Sequence, residues 1–129
     1  MLAIDTNVIV RYLTGDHPEQ SAKAKRLIDR EDVFVATTVL LEAEWVLRSV
    51  YGYGAAELSD ALAAFAGLAH VTLEDPVAAG RALQWMKAGL DFADALHLAK
   101  AQGCVAFVTF DRTFARRAAA LDSVAMRTI

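Results

Sequence analysis

The chain has 129 residues, 56% of them hydrophobic, 22% charged, and a formal net charge of −3. That length is one domain's worth and supports one good core. No run reaches the roughly 18 consecutive apolar residues that a membrane-spanning helix needs. No basic leader precedes the first apolar run, which Asp5 interrupts, so no secretory signal is expected. A single cysteine, Cys104, excludes an internal disulfide and favours a reducing, cytoplasmic compartment. Cys104 opens an apolar run, so simple buried packing is expected of it. The negative charge argues weakly against a nucleic-acid partner. If four acids held metal ions, however, the remainder would carry −3 + 4 = +1.

In chain order, Leu2 to Asp5 reads as a strand and Thr6 to Leu13 as a short helix stopping at Gly15. Asp, Thr and Asn are poor strand residues but good helix starters, because their side chains accept from free first-turn N–H groups. Asp5 is therefore either a cap or the first member of a site. Pro18 suits a first helical turn. The helix from Pro18 to Asp29 is expected to turn Ala22, Leu27 and Ile28 inward and Lys23, Arg26 and Arg30 outward. Val33-Phe34-Val35-Ala36 has the continuous apolar pattern of a strand buried on both faces. Thr37 or Thr38 is expected to cap a helix to Val50, ended by Tyr51-Gly52-Tyr53-Gly54. Ala55 to Phe65 is a further helix, broken at Gly67, and His70 to Leu73 a strand. Asp75-Pro76 opens a helix to Lys87, closed by Gly89. Asp91 starts a helix to Gln102. Cys104 to Thr109 is the strongest strand pattern, Asp111 starts a helix to Ala120, and Val124 to Arg127 is a last short strand. This alternation predicts a parallel sheet covered by helices on both faces.

Two strands end alike, in apolar run, Asp, helix: Ile4-Asp5-Thr6 and Thr109-Phe110-Asp111. Were they neighbours, both carboxylates would lie at one carboxyl edge, where such sheets bind ligands. On the helix from Thr38 to Val50, an apolar stripe runs through Val39, Leu40, Ala43, Val46, Leu47 and Val50. Glu42 and Glu44 flank it on opposite sides, so periodicity does not separate them. Glu44, four residues before Arg48, suits a surface ion pair. Glu42 has Trp45 and Val46 at neighbour spacings and no basic partner. Asp91 fits a helix cap, whereas Asp94, further in beside Leu98, is less well explained by capping. Asp5, Glu42, Asp94 and Asp111 thus form a candidate set. Four carboxylates held together repel unless a cation neutralises them. Oxygen-only ligation suits Mg²⁺ or Mn²⁺. Such sites hydrolyse phosphodiesters: one ion activates an attacking water, and a second, about 3.5–4 Å away, supports the leaving oxygen.

The segments Leu2-Ala3-Ile4-Asp5-Thr6-Asn7-Val8, Leu40 to Arg48, Asp91-Phe92-Ala93-Asp94-Ala95-Leu96 and Val108-Thr109-Phe110-Asp111-Arg112 together resemble PIN domains of the VapC toxin family. The resemblance covers nearly the whole chain as a single domain, 1–129. It implies that Asp5, Glu42 (rather than Glu44), Asp94 and Asp111 are the catalytic, metal-holding acids. Asp91, Thr6, Asn7 and Thr109 would be accessory to them. It also implies a three-layer α/β/α fold with strand order 3-2-1-4-5, and an Mg²⁺- or Mn²⁺-dependent endoribonuclease toxin. A cognate VapB-like antitoxin and a homodimer are further implications. Arg11, Arg48, Arg112, Arg116 and Arg117 are available to an RNA backbone, with Arg112, beside Asp111, the first choice. His97 stands where many relatives carry an aliphatic residue. Two other classes compete. An Asp-nucleophile phosphatase requires a second Asp where Asn7 stands, and a non-catalytic module would use the acids only to bind metal or cap helices.

Overall fold

A computed structural model describes residues 1–122 and 124–129. The elements run β1 (Leu2–Ala3), α1 (Thr6–Thr14), α2 (Pro18–Arg30), β2 (Val33–Val35), α3 (Thr37–Ser49) and α4 (Ala55–Ala66). They continue with β3 (Val71–Leu73), α5 (Pro76–Lys87), α6 (Phe92–Ala99), β4 (Phe107–Thr109), α7 (Arg112–Leu121) and β5 (Met126–Thr128). Every strand pairing is parallel, as helical connections between successive strands require. The α/β class is therefore as expected. No helix among the described residues is long and apolar enough to cross a membrane.

The chain divides into two compact units, Met1–Pro76 and Val77–Ile129. In the first, β2 lies between β1 and β3, with Val33 opposite both Leu2 and Val71. Val33 and Val35 are fully buried, as their apolar run predicts. Ile9 and Val10 of α1, Leu40, Ala43 and Leu47 of α3, and Leu58, Leu62 and Phe65 of α4 fill this unit's core. Tyr12 meets Phe65 edge-on, with ring centroids 5.5 Å apart. Gly15 closes α1 in a left-handed conformation, φ 65°, which costs a residue without Cβ nothing. Pro18 occupies the first turn of α2, where the His17 ring accepts from the Gln20 N–H at 3.1 Å.

The structure differs from two local expectations. The buried face of α2 is Ser21, Ala24 and Ile28, while Ala22 is exposed, because the helix begins at Pro18 in a phase that turns Ala22 outward. Neither Thr37 nor Thr38 caps α3. Ala36 holds the cap position, and the Thr37 N–H donates instead to Glu74 Oε1 at 2.8 Å. Glu74 follows β3, and its own N–H donates to Val35 O at 2.9 Å, so the sheet delivers the capping carboxylate.

In the second unit, α5 buries Ala78, Ala79, Ala82, Leu83 and Met86. Strand β4 pairs with β5, Val108 opposite Arg127, and α7 packs on β5. Phe107 and Phe114 meet edge-on at 5.4 Å. The strand expected from Cys104 begins only at Phe107. Its ladder partner is three residues long. The Cys104 N–H belongs to a turn, donating to Ala101 O at 3.1 Å. Cys104 is consequently exposed rather than buried, and Val105 is 94% exposed. Helix α6 likewise ends at Ala99, short of Gln102, with Lys100 at its cap. Of the expected strand order, the run 3-2-1 and the pair 4-5 are present as two sheets, and no ladder joins β1 to β4 among the described residues.

Candidate active site

In the first unit the residues singled out from the sequence are Asp5, Thr6, Asn7 and Glu42. Asp5 occupies the cap position of α1 in extended backbone, φ −97°, ψ 178°, yet its side chain makes no capping hydrogen bond. Its carboxylate is exposed and is not used to close the helix. Thr6 is buried, and its hydroxyl donates to Glu42 Oε1 across 36 positions of sequence. Thr6 is therefore committed to a carboxylate rather than to the helix end. Asn7 is exposed at the rim of a hollow of about 350 Å³ between α1 and α2, with Val8, Arg11, Lys23 and Leu27.

Helix α3 separates the two glutamates. Its buried face is Leu40, Ala43, Glu44 and Leu47, the i, i+3, i+4, i+7 stripe of a packed helix. Val50, placed on the stripe from sequence, is exposed at the C-terminal cap. Glu44 is only 1% exposed and pairs with Arg48 Nε at 3.0 Å. The pair is i, i+4 as expected, but its acid is interior rather than on the surface. Glu42, a helical step away, is exposed.

Arg11 is held from several sides. Its Nε donates to Gln20 Oε1 at 2.8 Å, and its Nη1 reaches Asp16 Oδ1 at 3.2 Å and the Tyr51 hydroxyl at 3.1 Å. The Tyr51 hydroxyl donates to Asp16 Oδ2 at 2.6 Å. The hydrogen bonds from Tyr51 and Thr14, with the Arg11 charge, hold the Asp16 carboxyl below its ordinary value.

In the second unit the residues singled out from the sequence are Asp91, Asp94, Thr109 and Asp111. Asp91 caps α6, its Oδ2 accepting from the Asp94 N–H at 3.4 Å. Asp111 caps α7, its Oδ1 accepting from the Phe114 N–H at 2.9 Å. Its own N–H donates to Thr109 Oγ1 at 3.0 Å, which fixes the turn out of β4. Asp91, Asp94 and Asp111 line one hollow of about 200 Å³ with Leu90, Thr113 and Arg117. Burial pushes the Asp94 carboxyl up, and the negative charges of Asp91 and Asp111 add to the shift. The charge of His97 opposes it, which places the histidine within electrostatic reach of Asp94.

The arginines of α7 differ in placement. Arg117 lines the acidic hollow and donates to Gly89 O at 3.1 Å. Arg112 and Arg116 are exposed and are not among the described residues lining it. Helical spacing carries this signal, since Thr113, Phe114 and Arg117 share a face at i, i+1, i+4, whereas closeness to Asp111 in sequence pointed to Arg112.

By donor type these carboxylates fit an oxygen-preferring divalent cation. The upward shift of Asp94 among like charges is the electrostatic condition such a cation relieves. Among the described residues, no group of three or more His, Cys, Asp or Glu is arranged to hold a metal ion.

The family model that describes the PIN domain matches residues 2–120. No curated protein and no solved structure matches the chain. PIN domains have a three-layer α/β/α fold and are generally nucleases that use divalent metals such as Mg²⁺ or Mn²⁺. Because the match spans nearly the whole chain, the protein belongs to the PIN domain family.

Proposed function

We propose that this PIN domain is an Mg²⁺- or Mn²⁺-dependent endoribonuclease and the toxin of a VapBC-type toxin–antitoxin pair. Asp5, Glu42, Asp94 and Asp111 are its catalytic and metal-holding acids, with Thr6, Asn7, Asp91 and Thr109 accessory. The observation that carries the reading is the hollow that Asp91, Asp94 and Asp111 line together, where burial and the neighbouring negative charges raise the Asp94 carboxyl. When bound, the divalent ion supplies charge neutralisation at the scissile phosphate and electrophilic assistance to hydrolysis.

The protein's own groups have separable tasks. Thr6 fixes the rotamer of Glu42 by donating to it. Asp94 lines the hollow beside Asp91 and Asp111, where its carboxylate is available to the cation. Asp111 and Asp91 each use an oxygen to cap a helix, so their carboxylates are held rigidly. Arg117 brings positive charge to the acidic hollow. Arg11, Arg112 and Arg116 are further candidates for contacts along an RNA backbone.

The partner in this reading is a VapB-like antitoxin, the working form is a homodimer, and the compartment is the cytoplasm. Growth arrest on expression, relieved by co-expression of the protein encoded next door, is the expected cellular result. Arrest with no relief by that neighbour contradicts the toxin assignment and leaves the nuclease chemistry standing. The nuclease itself is tested by cleavage of cellular RNA with and without Mg²⁺ or Mn²⁺.

A further inference from the structure

Among the described residues, the exposed large hydrophobic side chains other than Trp45 are Met1, Leu2, Val50, Val77, Phe110 and Ile129, at or beside chain, strand or helix ends, with Val105 in a bend and Val108 midway along β4. Trp45 is different. It stands in the interior of α3, 55% exposed. The buried stripe of that helix is complete without it, in Leu40, Ala43, Glu44 and Leu47. Helical spacing puts Glu42 three residues before the indole and Arg48 three residues after it, both exposed.

That setting distinguishes between occupants. A protein partner is anchored by an aromatic at the centre of an apolar patch from which charge is depleted. Trp45 has instead the exposed Glu42 carboxylate one turn away, a charge that interface cores exclude, and one turn the other way Arg48, whose Nε is held by the buried Glu44. A nucleobase needs only the flat face of the ring, and every base has a π-face to stack on it. Single-stranded RNA presents such unstacked bases. One helical turn, about 5.4 Å of rise, is of the same order as the reach from a phosphate to a base of the adjoining nucleotide. Glu42 is oriented by Thr6, so the acid and the indole are presented on one surface of one helix.

We propose that Trp45 is a stacking platform for a base of single-stranded RNA next to the scissile phosphate, a substrate-positioning residue of this nuclease. The inference rests on the nuclease reading above. Stacking tolerates any base, so Trp45 sets the strandedness and position of the substrate rather than its sequence.

The protein has two tryptophans, and the other, Trp85, is only 8% exposed. A change in indole emission on RNA binding therefore reports mainly on Trp45, since the buried Trp85 is out of a ligand's reach. Asp5→Asn protein in Mg²⁺ is titrated with a mixed-sequence single-stranded RNA oligonucleotide, following emission and the anisotropy of a label on the RNA. Emission is expected to fall in step with binding, and adding Trp45→Phe to the same protein is expected to abolish that fall. Trp45→Ala is expected to weaken binding about 5- to 150-fold, and Trp45→Phe, which still stacks, by much less. In active protein Trp45→Ala is expected to raise KM with kcat nearly unchanged. RNA that binds without quenching overturns the proposal. So does Trp45→Ala that binds RNA as the parent does, including the case where it alters only oligomeric state or antitoxin binding. A parent that cleaves RNA while Trp45→Ala is indistinguishable from it refutes the stacking role alone. A parent that neither binds nor cleaves RNA refutes the nuclease reading and this one with it.

Discussion

The Thr6 hydroxyl donates to the Glu42 carboxylate, joining the first turn of α1 to α3 across 36 positions of sequence. The bond makes Thr6 a support for an acid that would otherwise rotate freely on the surface. Thr6→Val keeps the shape and removes the donor. It is expected to lower stability by about 1 kcal/mol, the net worth of one such bond, read as a urea midpoint. Cleavage is expected to fall by more than that loss explains, and Thr6→Ser, which restores the donor, to recover most of it.

Glu42 and Glu44 are expected to separate cleanly on substitution. Glu44 is interior and holds Arg48. Glu44→Gln leaves a guanidinium short of its partner and is expected to destabilise by about 2 kcal/mol. That is less than the full penalty for breaking a buried pair, because Arg48 is partly in water. Glu42→Gln is expected to leave the thermal midpoint within about 0.5 kcal/mol of the parent, as exposed substitutions usually do, and to abolish cleavage. Loss of activity in Glu44→Gln without loss of stability would reverse the two assignments.

Asp94 carries a pH signature. Its carboxyl is raised by burial and by Asp91 and Asp111, so the folded protein holds this proton more tightly than the unfolded chain. The associated stability is present in full below the unfolded pKa and is lost as pH rises through the folded one. Asp94→Asn is therefore expected to flatten the fall in stability across that window in cation-free buffer. Titration of the Asp94 carboxyl carbon by NMR is expected to give a raised pKa that falls on adding Mg²⁺. Titration at the ordinary carboxylate value in cation-free buffer would contradict the assignment.

Asp16 behaves oppositely. Hydrogen bonds from Tyr51 and Thr14, and the Arg11 charge, lower its pKa. Its stabilising effect is present above the unfolded value of about 3.9 and is lost as pH falls through the folded one. Tyr51→Phe removes the largest cause, so the Asp16 pKa is expected to move back up. The same NMR titration reads this directly.

Much of this was legible in the sequence because it depended on neighbours in the chain. Gly15, Pro18, Asp91 and Asp111 end or start helices where their backbone and side-chain chemistry puts them. The matched endings at Asp5 and Asp111 could be read for the same reason. What escaped depended on distant partners or on helix phase. Glu74 replaces a threonine cap because β3 carries it to α3. Glu44 is buried because Arg48 satisfies it in place, a stabilisation that a hydropathy stripe does not register. Cys104 reads as core from sequence because apolar residues follow it, but the ladder beyond it is only Phe107–Thr109. Thr6 could be singled out, but not paired with Glu42, since 36 residues separate them.

On the proposed function, the acids, Asp5 among them, make this PIN domain a metal-dependent ribonuclease. Asp5 is the sharpest place to test it, because its carboxylate caps nothing and its removal is expected to leave the fold intact. The decisive measurement is the rate of RNA cleavage by purified, antitoxin-free protein as Mg²⁺ or Mn²⁺ is added, for the parent and for Asp5→Asn. Cleavage that rises from background with the cation in the parent, and stays at background in an equally stable Asp5→Asn, is the predicted result. Cleavage independent of the cation, or equal in the two proteins, would contradict it.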